Sequence, residues 1–270
     1  MLDTWCVEEG SYDKRFQRNL ILFWMLLCCV LVFFMQCGFL CLESGMSRAK
    51  ISINVAIKNL ADFTISVVIF WAVGFSLVFG NMADPNIGDQ TFLLFQSLFC
   101  GTATTIVSGA VAERMPFRTY LILSIALSVL IYIVVCQWVW GGSLDAARVG
   151  WLQARGFVDF AGAGVVHMTG AFVALAFLLR VGPRLGRFDE HGNPKPIPGS
   201  DLARAMLGVF LVWIGWMGFN GGSFFALHED VAMVILNTIM GGAAGVCAAI
   251  LVGWYFFNVP RAEFVLVGVL

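Results

Sequence analysis

Seven long apolar runs, separated by short polar joints, organise this chain: roughly 19–41, 52–79, 92–112, 119–138, 158–179, 203–225 and 231–257. They are apolar all round rather than striped, and each is close to the ~20 residues that a helix needs to cross a hydrocarbon layer of ~30 Å. The pattern predicts an all-α bundle of membrane-spanning helices. An eighth run starts at Phe264 and reaches Leu270. Met1–Arg18 is polar and mixed in charge, and the run that follows is too long for a signal-peptide core, so no cleavable leader is expected. The longest polar stretch, Gly182–Ser200, carries Pro194, Pro196 and Pro198 and reads as an extended connector, leaving residues 1–270 as a single domain.

Composition supports a lipid solvent. AVILMFWYC residues make up 60% of the chain and charged residues 12%, against ~25% charged in ordinary soluble domains. That excludes a disordered protein, a nucleic-acid binder and almost any soluble enzyme. No nucleophile–base pair or metal-ligand cluster appears, so neither catalysis, a metal nor a cofactor is expected. Seven of the 8 cysteines lie in apolar runs and read as small hydrophobes, while Cys6 reads as a surface thiol or a tie between subunits. Loop charge gives an orientation. Arg48, Lys50, Arg114, Arg118, Arg180, Arg184, Arg187, Lys195, Arg204 and Arg261 follow the odd-numbered spans, whereas the other loops hold only Arg148 and Arg155. By the positive-inside rule the N-terminus is outside, despite Lys14, Arg15 and Arg18 flanking the first span.

Within a bilayer the informative residues are polar ones, each costing ~2.5–3.5 kcal/mol at a helix centre if ionised. Glu43 to Asp62 is one such region, and Lys58 and Asp62 are spaced to pair on one helix face as an ion-paired corner. Asp159 stands at the entrance of the fifth span, where a carboxylate can cap free N–H groups, with His167 about 12 Å deeper. That histidine fits an interhelical tie or a pore-lining group equally well. In the sixth span Trp216, Phe219 and Ser223 share a face, Asn220 needs a partner, and Gly215, Gly218, Gly221 and Gly222 permit close helix approach, which together suggest a lined cavity. After the fourth span, Trp138 suits an interfacial belt, while Gly141 and Gly142 suggest a turn aiming Trp140 inward.

The runs ESGMSRAK…NVAIKNLADF, FQSLFCGTATTIVSGAVAER, QWVWGGSLD, VDFAGAGVVHMTGAFVALA and WIGWMGFNGGS, in this order between residues 43 and 223, resemble the ammonium transporter/methylammonium permease/Rhesus family. The resemblance implies an eleven-span bundle with an outside N-terminus, assembled as a homotrimer in the plasma membrane with one pore per subunit. It places Phe99 at an outer gate and, with Trp140 and Ser223, at a recruitment site for ammonium. It makes Asp159 a structural carboxylate, Phe219 the second gate ring, and His167 and Trp216 pore-lining. The family's second pore histidine belongs to a helix beyond residue 270, so the resemblance also implies a chain cut short at the start of span eight.

Function follows as an expectation: ammonium is recruited by aromatic faces and a hydroxyl, deprotonated, and conducted as ammonia through an apolar, histidine-containing pore. Methylammonium as a further substrate and a regulatory protein at the cytoplasmic face are left open by the residues. The competing class is an ammonium sensor whose membrane domain signals to a cytoplasmic partner. A retinal photopigment is excluded, since the last lysine, Lys195, lies in a loop.

Overall fold

The structure is a computed structural model that describes residues 11–80, 87–260 and 262–270. Cys6 and Arg261 lie outside the described residues. Eight helices account for almost all of it: α1 (Ser11–Met46), α2 (Ala49–Phe79), α3 (Ile87–Val111), α4 (Phe117–Ser143), α5 (Ala163–Val181), α6 (Leu202–Gly222), α7 (Asp230–Phe257) and the short α8 (Ala262–Gly268). The first seven are long and apolar enough to cross a membrane, as the apolar runs predict.

Two boundaries differ from the sequence reading, each for a physical reason. Helix α1 begins at Ser11, well before the apolar run at Asn19, because Lys14, Arg15 and Arg18 are good helix formers. Hydropathy marks where a helix meets lipid, not where it begins. Helix α5 starts only at Ala163, since Asp159 to Gly162 form an irregular entrance. The Gly182–Ser200 connector is also less extended than its prolines suggest. Residues 187–195 form a tight hairpin, with Phe188 bridged to Pro194 and the Asp189 carboxylate accepting from the His191 and Asn193 amides. Those amide bonds, led by Asn193, hold the Asp189 carboxyl below the usual range.

Helix α3 sits at the centre, packed against α1, α2 and α5, and most of it is buried. Helix α7 is almost entirely exposed at its apolar core. The closest pairing joins α1 to α6, which run antiparallel: Gly45 meets Ala205, Gly38 meets Gly208, and Gly218 meets Cys28 and Leu31. A Cβ on Gly208 would stand 2.6 Å from the Gly38 carbonyl oxygen, so only glycine lets these backbones touch. Without a hydrophobic drive between helices in lipid, such close packing is a main source of helix association.

Most polar side chains inside the bundle bond to one another or to a helix carbonyl. Glu43 accepts from Asn59 (2.8 Å), which also reaches Ser108 (3.1 Å). Asp62 accepts from the Tyr120 hydroxyl and from Thr105 (2.9 Å), and Thr105 also donates to Gln36 (3.0 Å). The Lys58–Asp62 pair expected from helix spacing does not form. Lys58 donates to the Met115 carbonyl at 2.6 Å instead. Asp62 is directed at α3 and α4, where hydroxyl donors satisfy it better than a flexible ammonium on its own helix. The fold therefore seals this corner with side chains from four helices, as the cost of an unpaired buried polar group requires.

Replacing Gly208 by Leu should separate α1 from α6, since overpacking a tight core costs ~1–3 kcal/mol or more. The expected outcome is a thermal midpoint in detergent several degrees lower. Leu207→Ala, on the exposed neighbouring position, should leave the midpoint nearly unchanged. An equal loss in both variants would show that the Gly38–Gly208 contact is not what holds the pair.

Candidate functional site

Asp159 organises the site from its backbone outward. Its carboxylate accepts from three amides that open α5: Gly162 at 2.7 Å, Gly164 at 2.8 Å and Val165 at 2.8 Å. The first N–H groups of any helix lack intrahelical partners, and a carboxylate there satisfies them and complements the positive end of the helix dipole. Gly162 takes φ +92°, a left-handed conformation that a side chain would disfavour. The first turn, Ala163–Met168, is then wound as a π-helix, with both Val166 and His167 donating to the Gly162 carbonyl (2.8 and 3.0 Å). Widened turns of this kind shift the angular position of the residues that follow. Here they set the direction of His167.

The Asp159 carbonyl has a second use. It accepts from the Trp140 indole at 2.8 Å, and Trp140 ends the regular part of α4 before the turn Gly141–Ser143. One residue thus positions both the helix that carries the imidazole and the indole of Trp140. Trp138, two residues earlier, turns outward and packs edge-on against Trp151 with centroids 5.3 Å apart.

Five of the singled-out residues form a continuous line of rings. Trp140 lies 6.1 Å from Phe99 between centroids, and Phe99 stacks on Phe219 at 3.8 Å with planes 6° apart. Phe219 lies 5.3 Å from His167, and His167 lies 6.3 Å from Trp216. Phe99 and Phe219 are fully buried. Their face-to-face contact is tighter than the ~4.5–7 Å of favoured offset or edge-on pairs, and it fills the space between α3 and α6. Ser223 joins the line through Phe219: its hydroxyl donates to the Phe219 carbonyl at 2.8 Å. With its proton committed there, the oxygen keeps lone pairs to accept a bond from elsewhere.

Beyond the stacked phenylalanines lies a cavity of about 420 Å³, bordered by His167, Trp216, Asn220, Thr238, Gly241 and Leu270. Asn220 finds its partner here, donating to Thr238 on α7 at 2.9 Å. The other two histidines are elsewhere. His228 stacks on Phe224 beside Asp230, and His191 lies in the 187–195 hairpin. His167 is thus the one imidazole in the ring line among the described residues.

The sequence reading did not single out the aromatic cluster beside Phe99. Phe95 lies 4.5 Å from Phe99 and 5.7 Å from Phe225, and Phe225 lies 5.1 Å from Phe92. The i, i+3, i+7 spacing of Phe92, Phe95 and Phe99 was a usable signal. Phe225 is out of register with it, and its positive φ of 52° comes from the turn after α6. Only the turn brings it back.

Comparison with known proteins gives one consistent result. The profile of the Ammonium Transporter Family matches residues 23–270. The chain is 42% identical over 256 residues to Ammonium transporter Amt2 of Archaeoglobus fulgidus, covering 86% of this chain and 53% of that protein. It is 38% identical over 267 residues to Ammonium transporter Amt1 of Haloferax mediterranei, covering 88% and 52%. Among solved structures, one titled Sensor Amt Protein superposes with a TM-score of 0.90 at 34% identity, covering 95% of this chain and 67% of that one. Mep2 of Candida albicans superposes with a TM-score of 0.78 at 26% identity, covering 92% and 58%. The chain spans about half the length of these curated transporters.

Asp159→Asn should expose how much rests on the carboxylate. An amide offers one acceptor oxygen for three N–H groups, and a buried donor left unsatisfied costs ~1–3 kcal/mol. The expected outcome is a lower unfolding midpoint together with altered tryptophan emission, since the Trp140 anchor moves with the loop. Emission identical to the parent protein would show that Trp140 is positioned independently of the cap.

Proposed function

The chain belongs to the ammonium transporter family, a multi-pass membrane architecture, and from that premise we infer that it conducts ammonium-derived nitrogen along the ring line. Ammonium resembles potassium in charge and size but offers four tetrahedral N–H donors. A site made of aromatic faces and an acceptor oxygen distinguishes the two. Trp140 and Phe99 supply cation–π attraction, worth ~0.5–2 kcal/mol each according to how dry the site is. Ser223 accepts one hydrogen bond. Asp159 acts through position, since its carboxylate is spent on α5, and its negative charge adds to the potential over the vestibule.

The stacked Phe99–Phe219 pair is the observation that carries the reading. At 3.8 Å between centroids it leaves no room for a hydrated ion, so passage requires the rings to part and the cation to shed its water. Desolvating an ion costs several kcal/mol in a low-dielectric interior. Handing the proton to water on the outer side of the rings avoids that cost, and ammonia then crosses as a neutral molecule. His167, packed against Phe219, hydrogen-bonds the ammonia or relays a proton to it, while Trp216 walls the cavity beside it. Methylammonium fits the same chemistry if the cavity beyond the gate admits one methyl group.

Further parts of the reading rest on the same footing: an outside N-terminus, a place in the plasma membrane and assembly as a homotrimer. The odd-numbered loops supply the support for orientation. Arg48 and Arg184 are joined through Glu113 at one end of the bundle, where Arg204 bonds to Ser52, and a single basic end is what the positive-inside rule expects. Between transport and sensing, the names of relatives at 38–42% identity favour transport, and a cytoplasmic regulatory partner remains compatible with it.

Two measurements test the site. In the intact protein, His167→Ala should reduce uptake of labelled methylammonium at least tenfold while surface expression holds; undiminished selective uptake would remove His167 from the pore. Trp140→Leu should raise the half-saturation for ammonium by ~2- to 30-fold, the equivalent of one cation–π contact, with maximal uptake less affected. An unchanged half-saturation would displace the recruitment site from Trp140.

A further inference from the structure

At the end of the bundle opposite Trp140, a second cavity of about 440 Å³ is bordered by Arg114, Pro183, Arg184, Arg187, Phe188 and Ile197. Its walls come from the joint between α3 and α4 and from the connector after α5. The charge there is unbalanced. Glu113 pairs with Arg48 (2.6 Å) and with Arg184 (3.6 Å), so one carboxylate serves both, and Arg114 and Arg187 add two further guanidinium groups. Asp189 turns its carboxylate onto the amides of its own hairpin, and Glu190 makes no ion pair with these arginines among the described residues.

The guanidinium groups are held in place yet not saturated. Arg114 donates through Nη1 to the Gly182 carbonyl at 3.0 Å, while its Nε is shut off from solvent with no acceptor among the described residues. Arg187 donates to the Lys195 carbonyl at 2.6 Å and sits 5.9 Å over the Phe188 ring. Arg48 donates to the Leu185 carbonyl at 3.3 Å. Each of these arginines is thus pinned by a backbone oxygen or a ring, with N–H groups left over. Burial, and then the neighbouring Arg184, push Arg114 below its ordinary pKa, with Glu113 opposing. Repulsion of that kind is relieved by an anion.

We propose that this cavity binds a phosphate group, held by Arg114, Arg184 and Arg187. Guanidinium groups match phosphate oxygens with paired N–H donors, which an ammonium cannot do. Position favours it too. Arg114 lies between the last residue of α3, Val111, and the first of α4, Phe117, so it stands where helices leave the hydrocarbon and headgroup phosphates lie. Three arginines against an unpaired remainder of charge suit a phosphodiester or phosphomonoester, whether carried by an anionic lipid of that leaflet or free in solution. The proposal stands apart from the transport reading, because no ring-line residue borders this cavity.

The test uses the purified intact chain in neutral detergent. Native mass spectrometry counts retained phosphatidylglycerol, phosphatidic acid and phosphatidylcholine, with inorganic phosphate as a separate titrant. The expected result is retention of the two anionic lipids at least tenfold above phosphatidylcholine, lost in Arg184→Gln/Arg187→Gln. Displacement of the lipid by millimolar inorganic phosphate would identify the free anion as the occupant, and resistance to it the lipid headgroup. Should Arg184→Gln/Arg187→Gln fold poorly, Arg187→Gln alone should weaken retention, while Arg155→Gln, an exposed arginine against Trp151 rather than in this cavity, should not. Equal retention of all three lipids with no phosphate binding, retention unchanged in the variants, or binding of a polyglutamate peptide in preference to phosphate would overturn the proposal.

Discussion

The site depends on one arrangement: a carboxylate spent on the free amides at the start of α5. The first N–H groups of a helix have no partner within it and need an acceptor from elsewhere. Asp159 takes three of them. With those amides held, the chain can turn at Gly162 in a left-handed conformation and open the helix with a wide π-turn. His167 is aimed by that turn. The carbonyl of the same residue holds the Trp140 indole, so Trp140 and His167, two members of the ring line, share one anchor. A substitution here is felt by both, although Asp159 itself touches neither Phe99 nor Phe219.

Around that anchor, the molecule meets the demands of lipid in two different ways. Between α1 and α6 it removes side chains, so that backbones pack directly through Gly38, Gly45, Gly208 and Gly218. Between α2, α3 and α4 it does the reverse and fills the interface with polar groups that satisfy one another, Asp62 with Tyr120 and Thr105, Ser66 with Thr104 and Ser128. Close backbone approach fixes α6, and hence Phe219 and Trp216. The polar network fixes α3, and hence Phe99. The stacked Phe99–Phe219 pair forms where these two differently secured helices meet. That division explains why the ring contact is so well defined in a bundle whose α7 has almost no buried face.

The two ends of the bundle differ in the same terms. At one, aromatic rings lie beside a helix whose first amides are capped by Asp159. At the other, arginines from successive loops converge on a single glutamate, and Arg204 reaches Ser52 across the α1–α2 joint. Four of the basic residues that set orientation in the sequence, Arg48, Arg114, Arg184 and Arg187, are gathered around the Glu113 joint, and among the described residues the Arg114 Nε is left without an acceptor.

What the residues determined alone was the solvent, the number of long helices and the identity of the exceptions. Twenty or so apolar residues can only be a span, and a histidine, an aspartate and an asparagine among them must have partners. Motif order then gave the family resemblance, and with it the ring residues. Tertiary structure decided which partners those exceptions took. Lys58 and Asp62 are one turn apart, so local spacing predicts a pair, yet each bonds to a different partner because donors and acceptors across the interface are better placed than a neighbour on the same face. The π-turn before His167, the return of Phe225 to Phe92 and Phe95 and the meeting of Arg114, Arg184 and Arg187 are likewise invisible in the sequence. Each depends on backbone geometry or on contacts between residues far apart in the chain, and a hydropathy pattern carries information only about the medium each segment meets.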